Sequence, residues 1–220
     1  IQGYPAGTYT GGTAISHTYN AGTYPSGYRG DITISASYLG NITKLIIFAG
    51  SVTPSSCNVL SVQTSEIAKL AGLLTLELQG AYLDGVASDL PDTITRFISP
   101  CNDLTGTTAD LPTSLTYINL SGNNLISGSV SSLPSGLTFT IITGDNNISG
   151  NIQDMPAGST YFRIDGNNTI GGTIDAGLPL SLTTLSVEGN NTIDGDIANF
   201  NSNMVTIKVL GGNTLYEIGR

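Results

Sequence analysis

The chain holds one histidine, His17, and nothing near it in sequence resembles a catalytic triad. Enzyme chemistry needs a nucleophile, base or acid pair gathered in one pocket, so His17 reads as a surface or packing residue. Asp194 and Asp196 form an acid pair on a turn, where they are solvated, whereas glycoside hydrolysis needs two carboxylates facing across a cleft. Asp89, Asp110 and Asp154 each directly precede a Leu-Pro or Met-Pro pair. Stacked carboxylates could take calcium by oxygen ligation, but stabilising a bend is the simpler work for Asp. Two cysteines, Cys57 and Cys101, are too few for a disulfide scaffold and lack the spacing of a metal site. Arg29-Gly30-Asp31 spells the tripeptide that adhesion ligands present to integrins, yet three residues are a weak match and the following Ile-Thr-Ile puts Asp31 at the start of a strand. Five N-x-S/T sequons, at Asn41, Asn119, Asn147, Asn167 and Asn190, read as a by-product of an Asn/Thr-rich chain. The expectation is a protein that is not an enzyme, with no cofactor and no metal.

Composition narrows the class further. Of 220 residues only 10% are charged and 28 are glycine, with Ser, Thr and Asn throughout, a blend that favours short strands and turns over helices. The net charge of -9 comes from 16 acids against 7 bases. Phosphate-backbone binding needs a basic stripe, and none is present, so nucleic acid is excluded as a partner. No apolar run reaches the length of a membrane span and no signal peptide is visible. The chain begins at Ile1 rather than Met, which reads as a processed chain or a segment of a larger one.

The elements that position these residues come from a repeat. LPTSLTYINLSGNNLISGSVSS begins at Leu111 and is followed by LPSGLTFTIITGDNNISGNIQD, MPAGSTYFRIDGNNTIGGTIDAG and LPLSLTTLSVEGNNTIDGDIAN, then by a worn copy ending the chain. Anchors at Leu115, Leu137, Ser159, Leu182 and Met204 lie 22, 22, 23 and 22 residues apart. A fixed period of this size means a solenoid, because no single repeat can bury its apolar face alone. Aliphatic or aromatic residues three and five positions after the anchors, such as Ile118 and Leu120 or Phe162 and Ile164, give the period-2 pattern of a half-buried strand. Ile142, Val187 and Val209 are expected to face inward with them. Segments after the bend are too rich in Gly and β-branched residues for a helix, so the other side of each coil reads as a second short strand or extended turn. Upstream, Ile42, Leu45 and Ile47, then Cys57, Leu60 and Val62, then Leu73, Leu76 and Leu78 fit the same strand register, at shorter spacings of 15 and 16 residues.

The pattern LxxLxLxxN, with Gly-Asn or Gly-Asp after each strand, resembles the leucine-rich repeat family. The Leu-Pro opening resembles its short bacterial subclass, and Ile-x-Gly-x-Ile, as at Ile170, Gly172 and Ile174, resembles its plant-type subclass. The likeness covers about 115 residues well, from Leu90 onward. It implies a mainly β, right-handed, helix-poor solenoid over residues 39–220, irregular to about 89 and regular from 90. It also implies an inward ladder at Asn123, Asp145, Asn167 and Asn190, whose side chains would satisfy backbone amides stranded by the bend.

Two regions remain as candidates for function. Outward residues of the anchor-row strands are Tyr117, Asn119 and Ser121, then Phe139, Ile141 and Thr143, then Tyr161, Arg163 and Asp165, then Thr184, Ser186 and Glu188. Tyr117, Phe139 and Tyr161 make a stripe of three aromatics that can stack on sugar rings or anchor a protein, or simply stabilise the sheet as cross-strand pairs. Residues 1–38 carry six of the ten tyrosines and lack the repeat. They read as an N-terminal cap on the first apolar layer or as an arm that adds a strand to a neighbouring subunit. Repeats of this composition resemble those of surface adhesins of Bacteroidetes-like bacteria and of tail or fibre proteins of the phages that infect them. The resemblance implies an extracellular adhesion or receptor-binding module on a virion or cell surface, with a protein or surface glycan and neighbouring subunits as partners and no membrane insertion. The alternative is a structural subunit that polymerises into a fibre through residues 1–38.

Overall fold

The computed structural model of the chain describes residues 40, 42–48, 60–79, 81–122 and 124–216, with backbone alone at Phe48, Leu60 and Tyr216. His17, Arg29-Gly30-Asp31, Asn41, Cys57, Asn123 and the whole segment 1–38 lie outside the described residues.

Each regular coil opens on a turn that proline sets. The anchor amide donates to the proline carbonyl three residues earlier, as in Leu115 to Pro112 and Leu137 to Pro134. The chain then enters a first-row strand: β1 (Lys44–Phe48), β3 (Thr75–Gln79), β5 (Arg96–Ser99), β7 (Tyr117–Leu120) and β9 (Phe139–Ile142). After the bend it forms a second-row strand: β2 (Leu60–Gln63), β4 (Ala81–Val86), β6 (Asn102–Thr107), β8 (Leu125–Ser129) and β10 (Asn147–Asn151). In the last regular coils the two rows are joined through the bend, as β11 (Tyr161–Thr173) and β12 (Thr184–Asp196), before β13 (Thr206–Gly211) and β14 (Thr214–Tyr216). All pairings among the described strands are parallel. The only α-helical segment described is the single turn α1 (Thr64–Ile67). Coils close instead on 3-10 turns such as Thr108–Asp110 and Val130–Ser132, each of which buries its first residue.

The core is one column of layers between the two rows. Alternation in β7 and β9 buries every second residue. Register stacks Phe97 on Ile118, Thr140, Phe162 and Leu185, and places Leu120, Ile142, Ile164 and Val187 in the adjacent inward column. Ile118, Leu120, Ile142, Ile164 and Val187 are fully buried and Val209 is half-buried against them. Full burial of each such side chain contributes roughly 1.5–3 kcal/mol. The last described coil is thinner, with Val205 83% and Ile207 45% exposed.

Two expectations are corrected. The inward ladder lies one residue later than the sequence pattern placed it. Asp145, Asn167 and Asn190 are exposed, whereas Asn102, Asn124, Asn146, Asn168 and Asn191 are buried. Asn168 shows why: its Nδ2 donates to the Glu188 carbonyl of the next coil at 3.2 Å, and its Oδ1 accepts from the Ile148 amide of the previous one at 2.9 Å. Asn191 repeats this with Leu210 and Ile170. Asn213 accepts from the Ile193 amide, so the worn copy keeps its ladder residue. The glycine before each pair takes the bend at positive φ, for instance +140° at Gly166. That moves the chain one residue further before a side chain can point inward. Asn167 and Asn190 are therefore surface sequons, and burial gives no reason to exclude a glycan there. The second correction concerns the short upstream spacings: Leu45 pairs directly with Leu76 and Leu60 with Ala81. β1 and β3 are therefore neighbours in the first row, and β2 lies in the second row rather than between them.

Candidate functional site

Burying one side of each first-row strand turns the other side outward, and in-register pairing aligns those residues across coils. One outward column runs Thr75, Arg96, Tyr117, Phe139, Tyr161, Thr184 and Thr206. Two residues further along each strand, Glu77, Ile98, Asn119, Ile141, Arg163, Ser186 and Lys208 share a second column. Asp165 and Glu188 follow at the bend.

The three aromatic residues form one stack. Tyr117 and Phe139 have centroids 4.3 Å apart with planes 1° from parallel, and Phe139 and Tyr161 are 4.6 Å and 18° apart. Strand spacing of about 4.8 Å sets this separation. Rings stacked along the solenoid axis stand on edge, so their faces meet each other and their rims meet solvent. The outer face of Tyr117 is covered by the Arg96 guanidinium, 3.9 Å from the ring centroid, a cation–π contact. Glu77 Oε1 accepts from Arg96 Nε at 2.7 Å, and that hydrogen bond holds the guanidinium above its ordinary pKa.

Charges on this face come as pairs. Arg163 Nε donates to Asp165 Oδ2 at 2.6 Å, which raises the Arg163 pKa in the same way. Lys208 pairs with Glu188. Asp165 Oδ1, by contrast, is buried without a hydrogen-bond partner. Asn119 accepts from Ser121 Oγ at 3.3 Å, which ties it within its own strand. All seven proposed face residues, Tyr117, Asn119, Phe139, Tyr161, Arg163, Asp165 and Glu188, are half-buried and share one side of the first row. The sequence reading missed Arg96, Glu77 and Lys208. Counting the same strand positions into the flanking coils would have found them.

The second row differs electrostatically. Its strands present Asp84, Asp103, Asp194 and Asp196, and none carries Lys or Arg. A hydrogen bond from Tyr82 to Asp103, reinforced by burial and by the charges of Asp103 and Asp84, pushes the Tyr82 hydroxyl up to about 12. Asp196 accepts from the Ala198 amide at 2.9 Å, Asp110 accepts from Thr107, and Asp89 accepts from Thr64. These carboxylates work at turns, and no group of three or more metal-ligating side chains occurs among the described residues. Cys101 is buried and disulfide-bonded.

Solved structures place this architecture. The crystal structure of the Arabidopsis receptor kinase HAESA in complex with the peptide hormone IDA and the co-receptor SERK1 aligns at a TM-score of 0.52 and 21% identity, over 85% of this chain and 32% of that one. The PEPR1–AtPEP1 structure aligns at 0.50 and 21%, over 71% of this chain and 24% of that one. The fold is a leucine-rich-repeat-like solenoid. The chain spans about a third or less of the length of these two solved structures. A scan of protein-family models and a search of curated proteins give no match. No helix among the described residues is long and apolar enough to cross a membrane.

Proposed function

We infer that this chain is an extracellular, non-enzymatic binding module that grips a protein or glycan along the outward face of its first strand row. The observation that carries this reading is the continuous ridge from Arg96 through Tyr117 and Phe139 to Tyr161, flanked by paired charges. Four of the five described basic residues, Lys44, Arg96, Arg163 and Lys208, lie on this face. Aromatic and Arg anchors with a polar surround are the usual makings of an interaction surface. HAESA, one solved protein that shares the fold, is a receptor kinase in complex with a peptide hormone and a co-receptor, which supports a protein-binding use of it. The home of the module, in this reading, is a virion tail or fibre or a bacterial surface assembly.

The test is a protein and glycan array probed with the full chain and with Tyr117→Ala and Tyr161→Ala. Signals present for the wild type should vanish in both variants while circular dichroism stays unchanged. Signals that survive in both would move the site off this face.

A second reading, a subunit joined end to end into a fibre, draws on the last described first-row strand. Among the described strands β13 pairs only with β12, and Val205, Ile207 and Leu210 are exposed beside it. A strand edge with apolar residues pairs readily with a further strand, and in this reading a second copy supplies it. Light scattering separates the two readings, since a polymerising subunit does not stay monomeric.

A further inference from the structure

The aromatic stack is closed at one end and open at the other. Phe139 carries a ring on each side, so the Tyr161 face that Phe139 leaves free points toward β12. Opposite it there is Thr184, and beyond that Thr206. At the other end Arg96 fills the equivalent place on Tyr117. Two consecutive coils thus carry threonine where the previous three carry rings, leaving a shelf beside an aromatic face.

The rim of that shelf is polar. Arg163 pairs with Asp165 and Lys208 with Glu188, in the column alongside and at the bend.

We propose that this shelf is a subsite for one pyranose ring of a glycan, lying over Thr184 and continuing the stack on Tyr161. The proposal rests on the reading of the first-row face as the binding surface. A pyranose offers a C–H face that packs on an aromatic ring and a rim of hydroxyls that both donate and accept. Tyr161 supplies the aromatic face, Asp165 and Glu188 supply acceptors, and Arg163 supplies donors. An aromatic side chain of a protein partner could also stack on Tyr161, but its apolar rim would meet the charged pairs. The three-residue stripe is not itself a sugar platform, because its inner faces are already used. Only its open end has a face to give.

Saturation-transfer difference NMR on the full chain tests this with methyl glycosides of glucose, galactose, mannose and N-acetylglucosamine. N-acetylphenylalaninamide serves as the aromatic probe. At least one glycoside should receive saturation through its ring C–H protons. Thr184→Tyr, which extends the stack into the shelf, should abolish the transfer, and Asp165→Asn should weaken binding tenfold or more. Thr75→Tyr, beyond the Arg96 cap, should leave it unchanged. Circular dichroism on each variant shows that the fold is retained. Saturation that survives Thr184→Tyr, no saturation of any glycoside, or saturation of the aromatic probe alone each overturns the subsite. An array protein whose binding is lost in Tyr117→Ala but indifferent to Thr184→Tyr would keep the wider face as a binding surface and still overturn the sugar.

Discussion

Asn168 and Asn167 are neighbours with opposite environments, one fully buried and the other exposed. Asn168 joins three coils through its amide, so removing that side chain strands a carbonyl and an amide that the fold has already taken from water. Asn168→Ala should lower stability by about 1–3 kcal/mol in urea melts, while Asn167→Ala should leave the midpoint nearly unchanged. Equal effects at both positions would overturn the shifted register. Asp110 makes a second prediction at this scale. The Thr107 hydroxyl, and after it the Thr107 amide, hold its carboxyl below the ordinary value. A depressed folded-state pKa favours the folded state above the unfolded carboxylate pKa, and that contribution fades as pH falls through the folded value. Thr107→Val should therefore move the Asp110 titration, followed by carbon-detected NMR, part-way back up. The surviving amide bond keeps it from returning completely.

The bend and the strand turn of each coil make different demands on glycine, and the element scale is where they separate. Gly144 sits at a φ of +126°, and a Cβ there would run into the Gly122 carbonyl oxygen of the preceding coil. Gly158, in the turn after Pro156, has no unusual φ, and its nearest neighbour to an added Cβ is Thr138 Cγ2 at 3.7 Å. Gly144→Ala should destabilise by more than about 1 kcal/mol, because the backbone conformation is incompatible with a side chain. Gly158→Ala should be neutral or slightly stabilising by the same measurement, thermal unfolding. The turn itself is reinforced by a row of threonines. Thr116, Thr138, Thr160 and Thr183 each donate a hydroxyl to a carbonyl of the preceding coil. Side chains thus lock coil to coil at the start of the first row as the asparagines do at its end.

A solenoid is quasi-one-dimensional, since each coil touches only its neighbours and stability is close to a sum of local terms. In the fibre reading residues 1–38 stand outside that stack, so removing them should cost association before it costs folding. If the fibre reading holds, deleting residues 1–38 should leave a soluble, β-rich chain that no longer associates. Far-UV circular dichroism should show helix well below the globular average of about a third, and light scattering should report a monomer. An unfolded or aggregated truncation would instead make those residues a cap on the first layer.

Period and alternation in the sequence were enough to determine the stacked coils, the inward columns at Ile118, Leu120 and their counterparts, and the placement of Tyr117, Phe139 and Tyr161 on one face. Both signals are local, because a strand fixes side-chain direction by residue parity and a repeat fixes the coil length. The ladder register was beyond that reach. Gly-Asn-Asn presents two candidate asparagines, and only the positive φ at the glycine decides which one turns inward. The short upstream spacings were likewise resolved only when β1 paired with β3 and left β2 in the other row. Tertiary structure also decided what the aromatic stripe offers a partner. Three rings at strand spacing could have lain flat as a platform, but packing stands them on edge. Arg96 closes one end, and the exposed aromatic chemistry is left to the single face of Tyr161 over Thr184.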